Sequence, residues 1–268
     1  MNENSGDILT GYAPVNGINM YYEVRGSGQP LVLIHGGGST IQTSFGRILP
    51  LLAQHYKVVA VELQAHGHTN DRDAPESFEQ DADDVIALCR HLDVNRASFL
   101  GFSNGGNTCM RIAMRQPTLV SKLVLISAFY KREGMIAGFF EGMNQATIEN
   151  MPQLLKDYYL QINNDQNGLM AMFTKDRDRM KGFKDWSDEE LRSINAPSFI
   201  ICGDRDVITS EHTVQMSKTI PHSELMIVPG THGSFIGEVC SVEEGSRIPE
   251  LTTGFILEFL NKPVPAKD

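Results

Sequence analysis

The stretch Ala97-Ser98-Phe99-Leu100-Gly101-Phe102-Ser103-Asn104-Gly105-Gly106 decides how this chain is read. It begins as a short apolar run, and a helical pattern follows it in Cys109, Met110, Ile112, Ala113 and Met114. Between the two stands Gly-x-Ser-x-Gly, which in a strand–turn–helix context puts a serine on a sharp, strained turn. Glycine at both flanks lets the chain turn that tightly. The helix starting behind Ser103 offers free N–H groups and the positive end of its dipole, both suited to developing negative charge. Glycine makes up 24 of the 268 residues, so the pattern alone can arise by chance. The strand before it and the helix after it give it meaning.

The same apolar signature recurs on both sides of this turn. Leu31–Ile34, Val58–Val61, Leu123–Ile126, Phe199–Cys202 and Leu225–Val228 are almost wholly apolar, as strands buried on both faces are. Helix-like stretches alternate with them at about 42–54, 80–92, 104–115, 210–219 and 246–261. This alternation predicts an α/β fold: a mostly parallel central sheet flanked by helices. The front end differs. Tyr12 to Val24, with Asn16-Gly17 in its middle, reads as an antiparallel hairpin leading into the first parallel strand.

The rhythm breaks between residues 130 and 193, where no strand-like run occurs. That stretch holds Met135, Met143, Met151, Met170, Met172 and Met180, half of the 12 methionines, together with Phe139, Phe140, Tyr158, Tyr159, Phe173, Phe183 and Trp186. It reads as an inserted helical subdomain, leaving residues 1–129 and 194–268 as one core domain. The Pro-containing tail 261–268 is expected to fray.

A serine hydroxyl is a poor nucleophile near neutral pH and needs a base, which in turn needs an orienting acid. Both occur at later strand ends. Gly203-Asp204-Arg205-Asp206 follows Phe199–Cys202, and Pro229-Gly230-Thr231-His232-Gly233 follows Leu225–Val228. His35-Gly36-Gly37-Gly38 follows the first parallel strand and can turn backbone N–H groups toward an oxyanion; the Asn104 N–H is the expected second donor. A phosphate loop is the competing reading, but Gly-x-Gly-x-x-Gly and a Walker lysine are both missing. Of the other histidines, His35 is read as structural, and His55, His91, His212 and His222 as solvated. His66 and His68 form a conceivable metal pair that lacks a third ligand.

Composition sets the class. The apolar fraction is 41% and the charged fraction 21%, ordinary for a soluble globular protein. With 23 Lys+Arg against 33 Asp+Glu, the net charge of −10 argues against a nucleic-acid or anionic-membrane surface. Residues 1–7 carry no basic–apolar leader pattern, and no apolar run reaches the ~20 residues that span a bilayer. Cys89, Cys109, Cys202 and Cys240 are far apart in apolar surroundings and read as buried thiols in a reducing compartment. A cytoplasmic location is expected.

Taken together, HGGG at 35–38, ELQAHGHT at 62–69, GFSNGG at 101–106, GDRD at 203–206 and GTHG at 230–233 resemble the α/β-hydrolase-fold serine hydrolases, over about residues 12–260. The resemblance implies a triad in the chain order Ser103, Asp206, His232, with Gly37 and Asn104 as oxyanion donors. It selects Asp206 over Asp204, makes 130–193 a helical cap, and implies no cofactor and no metal. Two departures stand out: Thr231 precedes the histidine where the family often has glycine, and Glu62 replaces an aspartate after the second parallel strand. A serine in the elbow argues against dehalogenases and epoxide hydrolases, whose nucleophile is an aspartate. The expected activity is hydrolysis of a small to medium carboxylic ester through an acyl-enzyme. Lactonase, perhydrolase and C–C bond hydrolase activity, or a hydrolase-fold ligand sensor, are the alternatives. Oligomeric state is left open.

Overall fold

The computed structural model describes residues 8–263. The N-terminal heptad and residues 264–268 of the tail lie outside the described residues. β1 (Leu9–Val15) and β2 (Ile18–Arg25) form a hairpin whose turn, Asn16-Gly17, has φ of 44° and 89°. Two positive φ values give the turn the twist that antiparallel strands need. The parallel strands follow: β3 (Pro30–Ile34), β4 (Lys57–Val61), β5 (Ala97–Phe102), β6 (Val120–Ile126), β7 (Ser198–Gly203) and β8 (Ser223–Val228). The sheet order is β1-β2-β4-β3-β5-β6-β7-β8, and only the β1–β2 and β2–β4 pairs are antiparallel. The hairpin therefore docks on β4 at the sheet's edge, not on the strand it leads into.

Alternate residues of each central strand enter two different cores. Val32, Ile34, Val59, Val61 and Phe99 face one helical layer; Leu31, Leu33, Val58, Ala60 and Leu100 face the other. Burial on both faces is why these strands read as unbroken apolar runs. β8 departs from that expectation: at the sheet's edge, Leu225 and Ile227 are 39% and 40% exposed. An apolar run alone does not distinguish an edge strand from a central one.

The stretch expected as one helix over 42–54 is two short ones, α1 (Ile41–Phe45) and α2 (Leu49–Leu52). Gly46 ends the first, and Pro50, without an N–H, cannot continue the ladder across the gap. α3 (Phe78–His91) and α4 (Asn104–Arg115) lie where the pattern places them. Between β6 and β7 run α5 (Phe139–Gln145), α6 (Gln153–Asn163), α7 (Gln166–Lys181) and α8 (Asp188–Arg192). Met151, Tyr159, Leu169 and Met172 of this segment cluster with Ala65 of the loop after β4, while Phe140, Met180, Phe183 and Trp186 join the main core. α9 (Ser210–Thr219) and α10 (Ile248–Asn261) complete the chain. Asn261, where fraying was expected to begin, still belongs to α10 and accepts from Tyr56 Oη at 2.9 Å. Among the described residues no helix is long and apolar enough to cross a membrane.

Candidate active site

Ser103 sits between β5 and α4 with φ 53° and ψ −122°, a strained conformation for a residue with a side chain. The flanking glycines are a steric requirement. A Cβ on Gly101 would lie 2.2 Å from Gly105 O, and one on Gly105 would lie 2.1 Å from Ile34 O. Both contacts are with backbone, which cannot step aside. The turn is packed directly against β3, whose C-terminal loop is His35–Gly38.

Three strand ends converge in front of this serine. His232, beyond β8, places Nε2 3.1 Å from Ser103 Oγ, and its Nδ1 lies 2.7 Å from Asp206 Oδ1, beyond β7. Asp206 also accepts from Ser127 Oγ at 2.5 Å and from the N–H groups of Gly203 and Ile208 at 3.3 Å each. Burial pushes the Asp206 carboxyl up, but the hydrogen bonds and charge it shares with His232, and the bond from Ser127, hold it below the usual carboxylate value. It stays ionised, an acceptor for imidazole Nδ1–H. Asp204 faces elsewhere: half exposed, it accepts from Gly230 N at 2.8 Å and so ties down the loop that carries His232.

The glycine loop closes the other side. A Cβ on Gly36 would touch Ser103 Cβ at 3.3 Å, and one on Gly37 would meet Asn104 Nδ2 at 2.5 Å. Gly37, Asn104, Ser103 and His232 line one cavity of about 800 Å³. The segment between β6 and β7 adds Met, Phe and Leu side chains to its wall, together with the polar Gln145, Asn150, Asp176 and Arg177. His35 stands behind the loop as a structural group. Its Nδ1 donates to Gly36 O at 2.7 Å and Nε2 accepts from Leu63 N at 3.0 Å, so the ring is neutral. Burial, then the neighbouring His66, push its pKa down to about 3.

Several residues fall outside the sequence-based expectations. His212 is buried, not solvated: Nε2 accepts from Tyr130 N at 3.2 Å and the ring stacks on Tyr130 at 4.8 Å. Burial lowers its pKa to about 4, which suits an acceptor. The helix face carrying His212, Thr213 and Met216 turns inward, and only the last is apolar. Cys240 is exposed where a buried thiol was expected; the other three cysteines are buried. His66 and His68 diverge. His68 meets the buried Glu62 at 2.9 Å, and His66 meets Asp176 of α7 at 2.9 Å. Ser127 and Asp176 carried no sequence signal, since a serine after a strand and an acid on a polar helix are both commonplace.

Known proteins share this fold. The family model of the alpha/beta hydrolase fold matches residues 29–167, just over half the chain. The uncharacterized hydrolase YugF of Bacillus subtilis is 27% identical over 92% of this chain and 96% of its own. The human serine hydrolase BPHL is 28% identical over 84% of this chain and 80% of its own. Among solved structures, a serine hydrolase involved in carbazole degradation superposes with a TM-score of 0.76 at 21% identity, covering 95% of this chain and 99% of that one. Elbow, sheet order and family match agree: the chain belongs to the α/β-hydrolase fold family.

Proposed function

We propose that the protein is a serine hydrolase that cleaves a small to medium carboxylic ester through an acyl-enzyme on Ser103. The observation that carries this reading is the unbroken chain from Ser103 Oγ through His232 to Asp206, with contacts of 3.1 Å and 2.7 Å. His232 takes the Ser103 proton as Oγ attacks the ester carbonyl, and Asp206 holds the imidazole and stabilises its cation. The N–H groups of Gly37 and Asn104 receive the oxyanion, a contribution for which each donor is typically worth about 10²–10³ in rate. The alcohol leaves with the proton from His232. Water, activated by the same imidazole, then releases the acid.

The segment at 130–193 acts as a cap over the site. Met135, Phe139, Met143, Met151 and Phe173 line the cavity, and flexible thioethers beside flat rings suit an apolar acyl or aryl group. The test is reaction with a fluorophosphonate, with the labelled residue located by peptide mass, beside turnover of p-nitrophenyl esters of increasing acyl length. Label on Ser103 and loss of turnover in folded Ser103→Ala support the reading. Undiminished turnover by that variant would sink it.

A further inference from the structure

We propose that Asp176, on α7, is a positioning residue for the glycine loop: with His66 it forms a buried brace that fixes the Gly37–Gly38 peptide, the plane next to the one that carries the Gly37 N–H, and so limits how far that N–H can turn. The proposal rests on the reading of Ser103 as nucleophile and of Gly37 as oxyanion donor.

Gly36, Gly37 and Gly38 are consecutive, and glycine has the widest backbone freedom of any residue, so a loop built of them needs external clamps. Two are present, one on each peptide plane around Gly37. The Gly36–Gly37 plane is held by His35 Nδ1, which donates to Gly36 O at 2.7 Å. The Gly37–Gly38 plane is held by Asp176 Oδ2, which accepts from Gly38 N at 2.5 Å. The same carboxylate oxygen would lie 3.2 Å from a Cβ on Gly37, so Asp176 packs against the loop as well as bonding to it.

The brace behind this contact is ionic. His66 Nδ1 lies 2.7 Å from Gln64 O and Nε2 lies 2.9 Å from Asp176 Oδ2. A carbonyl and a carboxylate both only accept, so both ring nitrogens carry protons and His66 is an imidazolium. Gly38 N is also 3.2 Å from Nε2, but a protonated nitrogen cannot accept, which assigns the Gly38 N–H to the carboxylate. Burial pulls the His66 pKa down, yet the charge of Asp176 and its hydrogen bond outweigh that and raise it to about 9. The other ionisable groups facing this pair are Arg179 on α7, Asp81 on α3, Glu76 before α3, and neutral His35. Arg179 donates to Asp176 Oδ1 and, at 2.7 Å, to Asp81 Oδ2. The carboxylate that reaches the glycine loop is thus itself held by two cations.

The oxyanion exists in the transition state and not in bound ester, so misplacing its donors lowers kcat far more than it changes KM. With p-nitrophenyl acetate, a substrate too small to need the cap, Asp176→Ala is expected to lose about 10- to 100-fold in kcat with KM within about twofold. His66→Gln should follow in the same direction, and the double variant should be no worse than Asp176→Ala alone. A role confined to cap packing would lower thermal stability or raise KM and leave kcat intact, and that result overturns the proposal. Should the variants fail to fold, 15N histidine spectra of the wild-type protein decide: His66 protonated on both nitrogens at pH 7.5 upholds the brace, and a neutral ring overturns it. A wild-type protein inert to fluorophosphonate would instead strike at the nucleophile reading, and this shows before any Asp176 variant is compared.

Discussion

Ser127 Oγ donates to Asp206 Oδ2 at 2.5 Å, joining the ends of β6 and β7 behind His232. Ser127 is 1% exposed and has φ 51°, so the chain adopts a left-handed turn to bring its hydroxyl to the carboxylate. A hydrogen bond to a buried charge is worth about 1.5–3 kcal/mol. Asp206 keeps three other donors, so Ser127→Ala is expected to cost about tenfold in kcat/KM, near the lower end of that range. Steady-state kinetics on a short-chain ester, with a thermal midpoint to confirm folding, would check this. Wild-type kinetics would mean that His232 and the two backbone N–H groups hold the carboxylate unaided.

The two acids of Gly203-Asp204-Arg205-Asp206 make a paired comparison. Asp206→Asn removes the charge that stabilises the imidazolium and favours the wrong tautomer, and losses near ~10⁴ in kcat are typical of that change. Asp204→Asn keeps a carbonyl oxygen able to accept from Gly230 N, so its kcat is expected to stay within about threefold. The opposite ranking would transfer the orienting role to Asp204.

How much could be read from the chain follows from what each signal depends on. Gly101, Ser103 and Gly105 were legible because backbone sterics dictate them locally, wherever the sheet lies. Ser103, the acid pair Asp204 and Asp206, and His232 were legible as candidates because each follows a recognisable strand, whereas the choice of Asp206 came from the family resemblance. The periodicity across 42–54 obscured the break at Gly46 between two short helices, the second of which opens with Pro50 in its first turn. The exposure of Leu225 and Ile227 depends on which strand has a neighbour, which no single segment encodes. Asp176 and Ser127 were illegible for a related reason. Their partners lie 138 and 79 positions away, and neither sits in a pattern that long-range contacts leave behind.

The elbow glycines can be tested against a glycine elsewhere. Gly105→Ala would force a methyl group to 2.1 Å from Ile34 O, with no flexible side chain to yield. Overpacking of this kind costs about 1–3 kcal/mol or more, and here it also displaces Ser103. The expected outcome is a lowered melting temperature and loss of ester turnover together. Gly254, exposed within α10, would meet nothing within 4 Å, so Gly254→Ala is expected to stabilise by about 0.5–1 kcal/mol with unchanged kinetics. Equal effects of the two substitutions would remove the steric explanation of the elbow.

Glu76 gives the chain a pH-dependent stability whose sign follows from its surroundings. Its side chain is 1% exposed and lies 3.5 Å from Arg179 Nη1, and among the described residues neither carboxyl oxygen has a hydrogen-bond partner. Burial outweighs the attraction of Arg179 and pushes the carboxyl up to about 8. In the unfolded chain the same group releases its proton near about 4.3. Between those two values the folded state holds a proton that the unfolded state has given up, so stability falls as pH rises. Asp81, pushed up to about 6 by burial, adds to the fall in the lower part of the window. Glu76→Gln keeps the shape and has no proton to lose. Its melting temperature is expected to match the wild type at about pH 4, below the unfolded value, and to exceed it by several degrees at pH 8, as followed by calorimetry. A lower midpoint at pH 8 would show instead that Glu76 is ionised and that Arg179 depends on it.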